Sequence, residues 1–262
     1  DYRGACQARA AAAESAAVTM SPSRRRNDSA VNHTFLGGFI RMKTLDRSRS
    51  LIPLAAMAFV LPAFAQQQPQ PQGPMSFFVT SVGKGDGGNL GGLAGADAHC
   101  QQLAAAAGRG NATWAAYLCQ AGAPGQPQVN ARDRIGAGPW YNARGVVIAW
   151  NVDDLHEDRN NIRKPTALNE KGEEVNGVGH QPNIHDMLTG SDSTGRLVPG
   201  NVALTTCNNW TSNSTGNAML GHHDRLGGPN ASWNAVHSSR SCSQADLVAR
   251  GGGGLFYCFA VQ

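Results

Sequence analysis

"FFVTSVGKGDGGNLGGLAGADAHCQQLAAAAG", residues 77–108, decides how this 262-residue chain is read. A short β-rich run ends in Gly83-Lys84-Gly85-Asp86-Gly87-Gly88, which satisfies G-x-G-x-x-G, and a helix-like stretch follows. Strand, glycines, helix is the order of a dinucleotide site. That fingerprint needs its third glycine inside the first helical turn. Here the helix is expected only from about Ala94 to Ala107, after more glycines, with Gly108 as its stop. No βαβ unit follows. The glycines are therefore read as a tight strand-to-helix loop and not as a phosphate cradle. Within the helix, Asp97 is expected to complement the positive N-terminal end. Cys100, Leu103 and Ala107 are expected to face the core.

Upstream of this stretch the chain changes character twice. Residues 1–41, rich in Ala, Arg and Ser, hold no sustained period and are read as disordered or untranslated. From Met42, Lys43, Arg47 and Arg49 precede the apolar run "LIPLAAMAFVLPAF", which ends in Ala63-Phe64-Ala65. A basic start, a short apolar core and an A-x-A end predict a signal peptide over 42–65. The run is short for a membrane span, so no span is expected in the mature form. Residues 66–74 read as a Gln/Pro-rich linker, and 75–262 as one domain of a size that can build a core.

The leader also explains the charge. The first 65 residues carry 9 of the 22 Lys/Arg and 4 of the 18 Asp/Glu, which leaves 13 basic and 14 acidic groups. The sequence pI of about 8.9 belongs to the leader. The remaining domain has no bulk basic field for nucleic acid. The expected location is secreted or periplasmic, where disulfides form. Five cysteines remain in the domain: Cys100, Cys119, Cys207, Cys242 and Cys258. None forms a C-x-x-C pair, and spacing alone does not choose among their possible pairings.

Further along, "TWAAYLC" (113–119) is expected to be a strand, with Trp114, Ala116 and Leu118 on one side and Cys119 on the other. Another strand is expected at about 145–150. Residues 151–201 are Gly-, Asn-, Asp- and Pro-rich and read as one long loop. Short strands are expected at 205–212, 230–236 and 254–262, with a loop or helical turn at 241–249. One good helix, several strands and much loop give an α+β class.

Two ends of the chain carry a resemblance: "NLGGLAGADAHCQQLAAAAG…TWAAYL" at one, and "TTCNNWTS…GHHD…SWNAVHSSRSCS…GLFYCFAVQ" at the other. Together they resemble the endostatin domain of collagens and related bacterial lectin-like exported domains, within the C-type lectin-like fold. The resemblance is strong at both ends and poor in 151–201. It implies a mixed, mostly antiparallel sheet with one or two helices, long loops and disulfide staples. It implies Cys100–Cys258 and, nested inside, Cys207–Cys242, with Cys119 free. It also implies a binding module for a glycan or an extracellular protein surface.

Calcium-dependent lectins use a Pro-containing triad and a Trp-Asn-Asp motif. Gln181-Pro182-Asn183 fits the first, but Trp233-Asn234-Ala235 lacks the carboxylate of the second. No cofactor is therefore expected, with calcium as the alternative. The expected contact residues are Gln181, Asn183, His185, Asp186, Asn208, Trp210, His222, Asp224, Trp233, Asn234 and His237, with Trp and Asn stacking on and bonding a sugar. A second reading builds a His₂–carboxylate metal site, or a metal-dependent hydrolase, from His185, Asp186, His222, His223 and Asp224. Neighbouring histidines on a strand point to opposite faces, so at most one of His222 and His223 serves such a site. A third is a structural envelope or adhesion protein. No G-x-S-x-G or H-E-x-x-H is present, and no enzyme is expected.

Overall fold

The strand that organises the domain is the last one. In a computed structural model that describes residues 72–225 and 231–261, β8 (Gly252–Val261) runs through the middle of a six-stranded sheet. The expected upstream segment, the signal peptide and residues 66–71 of the linker lie outside the described residues, as do Asn230 and Gln262.

On one side of β8 lies β1 (Phe77–Val79), antiparallel, with Phe78 opposite Cys258. Along the other side β2 (Thr113–Ala116) pairs antiparallel with its far half, and β5 (Asp186–Leu188) pairs parallel with its near half. β6 (Met219–His222) and β7 (His237–Ser238) continue outward from β5 in antiparallel register. A separate hairpin joins β3 (Trp140–Tyr141) to β4 (Val147–Ala149). The architecture is α+β, with a mostly antiparallel sheet and few helices.

β8 reads as a continuous apolar run because both its faces are buried. Phe256, Cys258 and Ala260 enter one core, and Leu255, Tyr257 and Phe259 the other. The first core lies under α1 (Gly92–Ala106), which contributes Ala96, Cys100 and Ala104. Leu103 and Ala107, expected to face the core, are only partly buried against it. Cys100 is bonded to Cys258, which ties α1 to the central strand, and Cys207 to Cys242. Cys119 is free and buried. Trp114, Ala116 and Leu118 face the first core and Cys119 the second, the alternation expected of an extended segment.

Asp97 does not serve the helix N-terminus. α1 starts at Gly92, which puts Asp97 beyond the first turn. Its carboxylate instead accepts from the Ala116 amide at 2.8 Å and pairs with Arg134 at 2.7 and 3.1 Å, closing the edge of β2.

The glycine loop serves close packing. Gly88 N–H donates to Cys242 O at 2.8 Å, and a Cβ at Gly88 would lie 2.5 Å from Cys207 Sγ. Only glycine lets this loop seat itself against the second disulfide.

Two expected strands are something else. Residues 202–205 form a helical turn, α3 (Val202–Thr205). Cys207–Trp210 form a turn that runs left-handed, with φ of 47, 55, 54 and 64°. Asn208 and Asn209 tolerate that region, whereas Cys207 and Trp210 are held in it. The disulfide anchors one end, and Trp210 Nε1–H donates to Cys119 O at 2.7 Å from the core. Residues 231–236 contain no strand; β7 begins only at His237. The 151–201 segment is not one loop. It holds α2 (Val152–His156), capped by Asn151, and β5 in the middle of the sheet. The turn expected at 241–249 is helical over α4 (Gln244–Ala249), capped by Ser243.

Candidate functional site

Strand register assembles the site. Asp186 on β5 pairs with His222 on β6, and Leu220 on β6 pairs with His237 on β7. Residues two apart share a face, so Asp186 and Leu188 point with His222 and Leu220. Leu188, Leu220 and Leu247 of α4 belong to the core beneath α1. The polar cluster therefore stands where that apolar face ends, beside α4. The opposite face at Gly221 meets the Trp233 backbone carbonyl, which a side chain there would overlap.

Three ligand-type atoms converge. His222 Nε2 lies 2.9 Å and His237 Nε2 3.6 Å from Asp186 Oδ1, and the two nitrogens are 3.1 Å apart. Asp186 Oδ1 is buried and, among the described residues, accepts no well-aligned hydrogen bond. A tetrahedral ion with bonds of about 2.0–2.2 Å to nitrogen and oxygen holds its ligand atoms about 3.4 Å apart. The observed triangle, with edges of 2.9, 3.1 and 3.6 Å, is close to that size and slightly tighter on two sides. The donors are two imidazoles and a carboxylate, a set that suits zinc and its transition-metal neighbours, whereas calcium asks for six to eight oxygens.

A second layer backs the first. His185 stacks on His222, ring centroids 3.9 Å apart, and its Nε2 is 3.4 Å from Asp186 Oδ1. Its Nδ1 faces Asp224 Oδ1, also at 3.4 Å. Asp224 is buried and accepts from the Val178 amide at 2.8 Å. Burial pushes the Asp224 carboxyl up, but His185, the Val178 N–H and the nearby His223 outweigh it and hold the group below the usual carboxylate range. Asp224 in turn raises His185 above an ordinary imidazole, against its partial burial and with help from Asp186. The Asp224 carboxylate and the His222 ring hold His185 behind the triad. His185, His222 and Asp224 form a second group with metal-ligand spacing.

The structure thus brings together His185, Asp186, His222, Asp224 and His237. His223, which the metal reading had included, points away: it is buried, with Nε2 3.2 Å from Asn176 O, and burial lowers its pKa. His237 stands in its place. Asn183 is partly buried near His185, both lying over Gly251, while Gln181 is exposed and belongs to neither metal-type group.

Three expected contact residues are buried and do other work. Trp210 and Trp233 are 0% and 3% exposed, so neither offers a ring face for stacking on a sugar. Trp233 Nε1–H donates to Leu155 O at 3.0 Å. Asn234 is buried and donates to the Tyr117 hydroxyl and to Asp192 O, both at 3.0 Å. Asn208 is exposed on the left-handed turn and donates to Thr211 Oγ1. Large aromatics beside polar residues are pulled inward because burial of the ring outweighs the single N–H, which finds a carbonyl.

A cavity of about 290 Å³ opens beside Asp186 and His237. Leu220 and Leu247 line it, as do Arg240 and Arg250. Those two arginines bracket the α4 segment in sequence and line the cavity because α4 packs against β8. No protein-family model matches the chain, and no curated protein does.

Proposed function

We propose that this chain is an exported lectin-like binding module that contacts its ligand through a transition-metal site of Asp186, His222 and His237. One observation carries the reading: three ligand-type atoms from three strands lie 2.9–3.6 Å from one another, around a buried carboxylate oxygen that lacks a good hydrogen bond. The lectin-like part is supported by the cysteines. Cys100–Cys258 and Cys207–Cys242 are the pairs that the endostatin resemblance implies, with Cys119 left free. Export is supported by those disulfides and by the leader pattern at 42–65. Among the described residues, no helix is long and apolar enough to cross a membrane. Ligand recognition through the metal takes the place of the tryptophan stacking expected from sequence.

The test is a zinc or cobalt titration of the full chain, produced without a histidine tag and stripped with chelator. One equivalent is expected to bind. His237→Ala is the informative variant because the His237 side chain is 43% exposed and its loss leaves the core intact. It is expected to weaken binding at least about tenfold. No binding by the folded wild-type chain would return the cluster to a structural role.

A further inference from the structure

The cavity beside the metal-type triad has its own chemistry. It is bounded by Asp186 and His237 on one side, by Leu220 and Leu247 along its wall, and by Arg240 and Arg250. Three protein donors leave a tetrahedral ion one open position. His222 is buried on the strand side, whereas His237 is half-exposed and, with Asp186, lines the cavity. The open position therefore faces that space.

The charges around it favour an anion. An ion of charge two, Arg240 and Arg250 outweigh Asp186 and Asp246, the two carboxylates that line the cavity. Asp246 is already engaged: it accepts from Ser241 Oγ at 2.6 Å and stands 3.9 Å from Arg240 Nε. Arg250 makes no ion pair among the described residues. A guanidinium without a partner, facing a cavity next to a metal, suits a planar or tetrahedral oxyanion. The leucines suit a compact apolar body behind that head group.

We infer that the cavity takes a small ligand bearing an oxyanion, a carboxylate or a phosphate group, which binds the metal's open position and is held by Arg240 and Arg250. This inference rests on the metal reading above. The experiment loads the full chain with Co²⁺ and follows its visible absorption while acetate or inorganic phosphate is added. A saturable spectral change with either anion is expected, and Arg250→Ala and Arg240→Ala are expected to weaken it roughly tenfold each. A stronger response to acetate assigns a carboxylate ligand; a stronger response to phosphate assigns a phosphoryl ligand. Arg250→Lys keeps the charge and loses the fork, and is expected to fall between wild type and Arg250→Ala. Cobalt that binds with a spectrum unmoved by either anion, or moved equally in the arginine variants, overturns this inference and leaves the metal site standing. Absence of cobalt binding overturns both.

Discussion

His222 Nε2 and His237 Nε2 face each other at 3.1 Å, and both lie against the same buried oxygen of Asp186. A neutral imidazole carries one N–H. Two ring nitrogens meeting tip to tip therefore need one donor and one acceptor, or a shared cation. With Asp186 Oδ1 as a further acceptor, either one shared N–H or the proposed cation answers the three atoms. Sheet register enforces the meeting, since β5, β6 and β7 supply one atom each.

Asp224 is expected to tune the proposed metal site without being required for it. Its carboxylate orients His185, whose other nitrogen reaches toward Asp186. Asp224→Asn keeps the size and the acceptor for the Val178 N–H but removes the charge. Zinc affinity, read by competition with a chromogenic chelator, is expected to drop about 10–100-fold with stoichiometry unchanged. Unchanged affinity would remove His185 from the site.

Trp233→Ala is expected to act on stability. The ring packs on Tyr117, with centroids 4.6 Å apart, and on Tyr257 at 5.2 Å. Removing it is expected to cost about 3–5 kcal/mol, read from the denaturant midpoint. A fully stable variant that loses only ligand binding would restore the sugar-stacking role.

Cys119 is expected to be chemically silent in the folded protein. Burial pushes its thiol up to about 12, against the Ala131 amide that donates to its sulfur at 3.2 Å. Alkylation with iodoacetamide near pH 8 is expected to fail in native buffer and to proceed in denaturant. A pKa raised in the folded state also means that this thiol's contribution to stability is intact below its unfolded value and is lost as pH rises toward 12. Rapid native labelling would contradict the packing around it.

His156 gives the opposite pH dependence. Burial lowers its pKa below 6.5, while Nδ1 is 2.7 Å from Val152 O and Nε2 2.7 Å from the Tyr117 hydroxyl. The neutral ring fits this arrangement, with Nδ1–H donating and Nε2 accepting. A depressed folded-state pKa gives stability that is present above 6.5 and lost as pH falls through the folded value. Thermal unfolding of His156→Gln is expected to show a shallower decline between neutral and acid pH than wild type. Parallel curves would mean that other groups carry the acid sensitivity.

Much of this was legible in the chain. The α1 helix, the apolar last strand and the α+β class follow from local pattern: a run of helix formers stopped by glycine, and an apolar β-rich stretch that must be buried on both faces. Five of the eleven expected contact residues gather in one place, because carboxylates and imidazoles are costly to bury singly. Trp210 and Trp233 are buried, against the sequence expectation, for the converse reason. Burial of an indole depends on whether a core lies beneath it and a carbonyl within reach of its N–H, and neither is a property of the neighbouring residues.

Local pattern alone foretells α1, the apolar last strand and, through Trp114 to Cys119, the alternation of one segment between two cores, whereas 202–210, 231–236 and 151–201 fold otherwise than their pattern suggests. The site itself comes from long-range strand pairing. β5 is three residues long, with polar chain before it, and becomes a central strand solely because β8 and β6 pair with it from either side. That pairing lays Asp186 against His222 and, one strand further, His237, and it excludes His223 by turning it to the opposite face. Contacts between residues that lie 15 to 51 positions apart in sequence leave no local period to read, and they form because the sheet supplies the register.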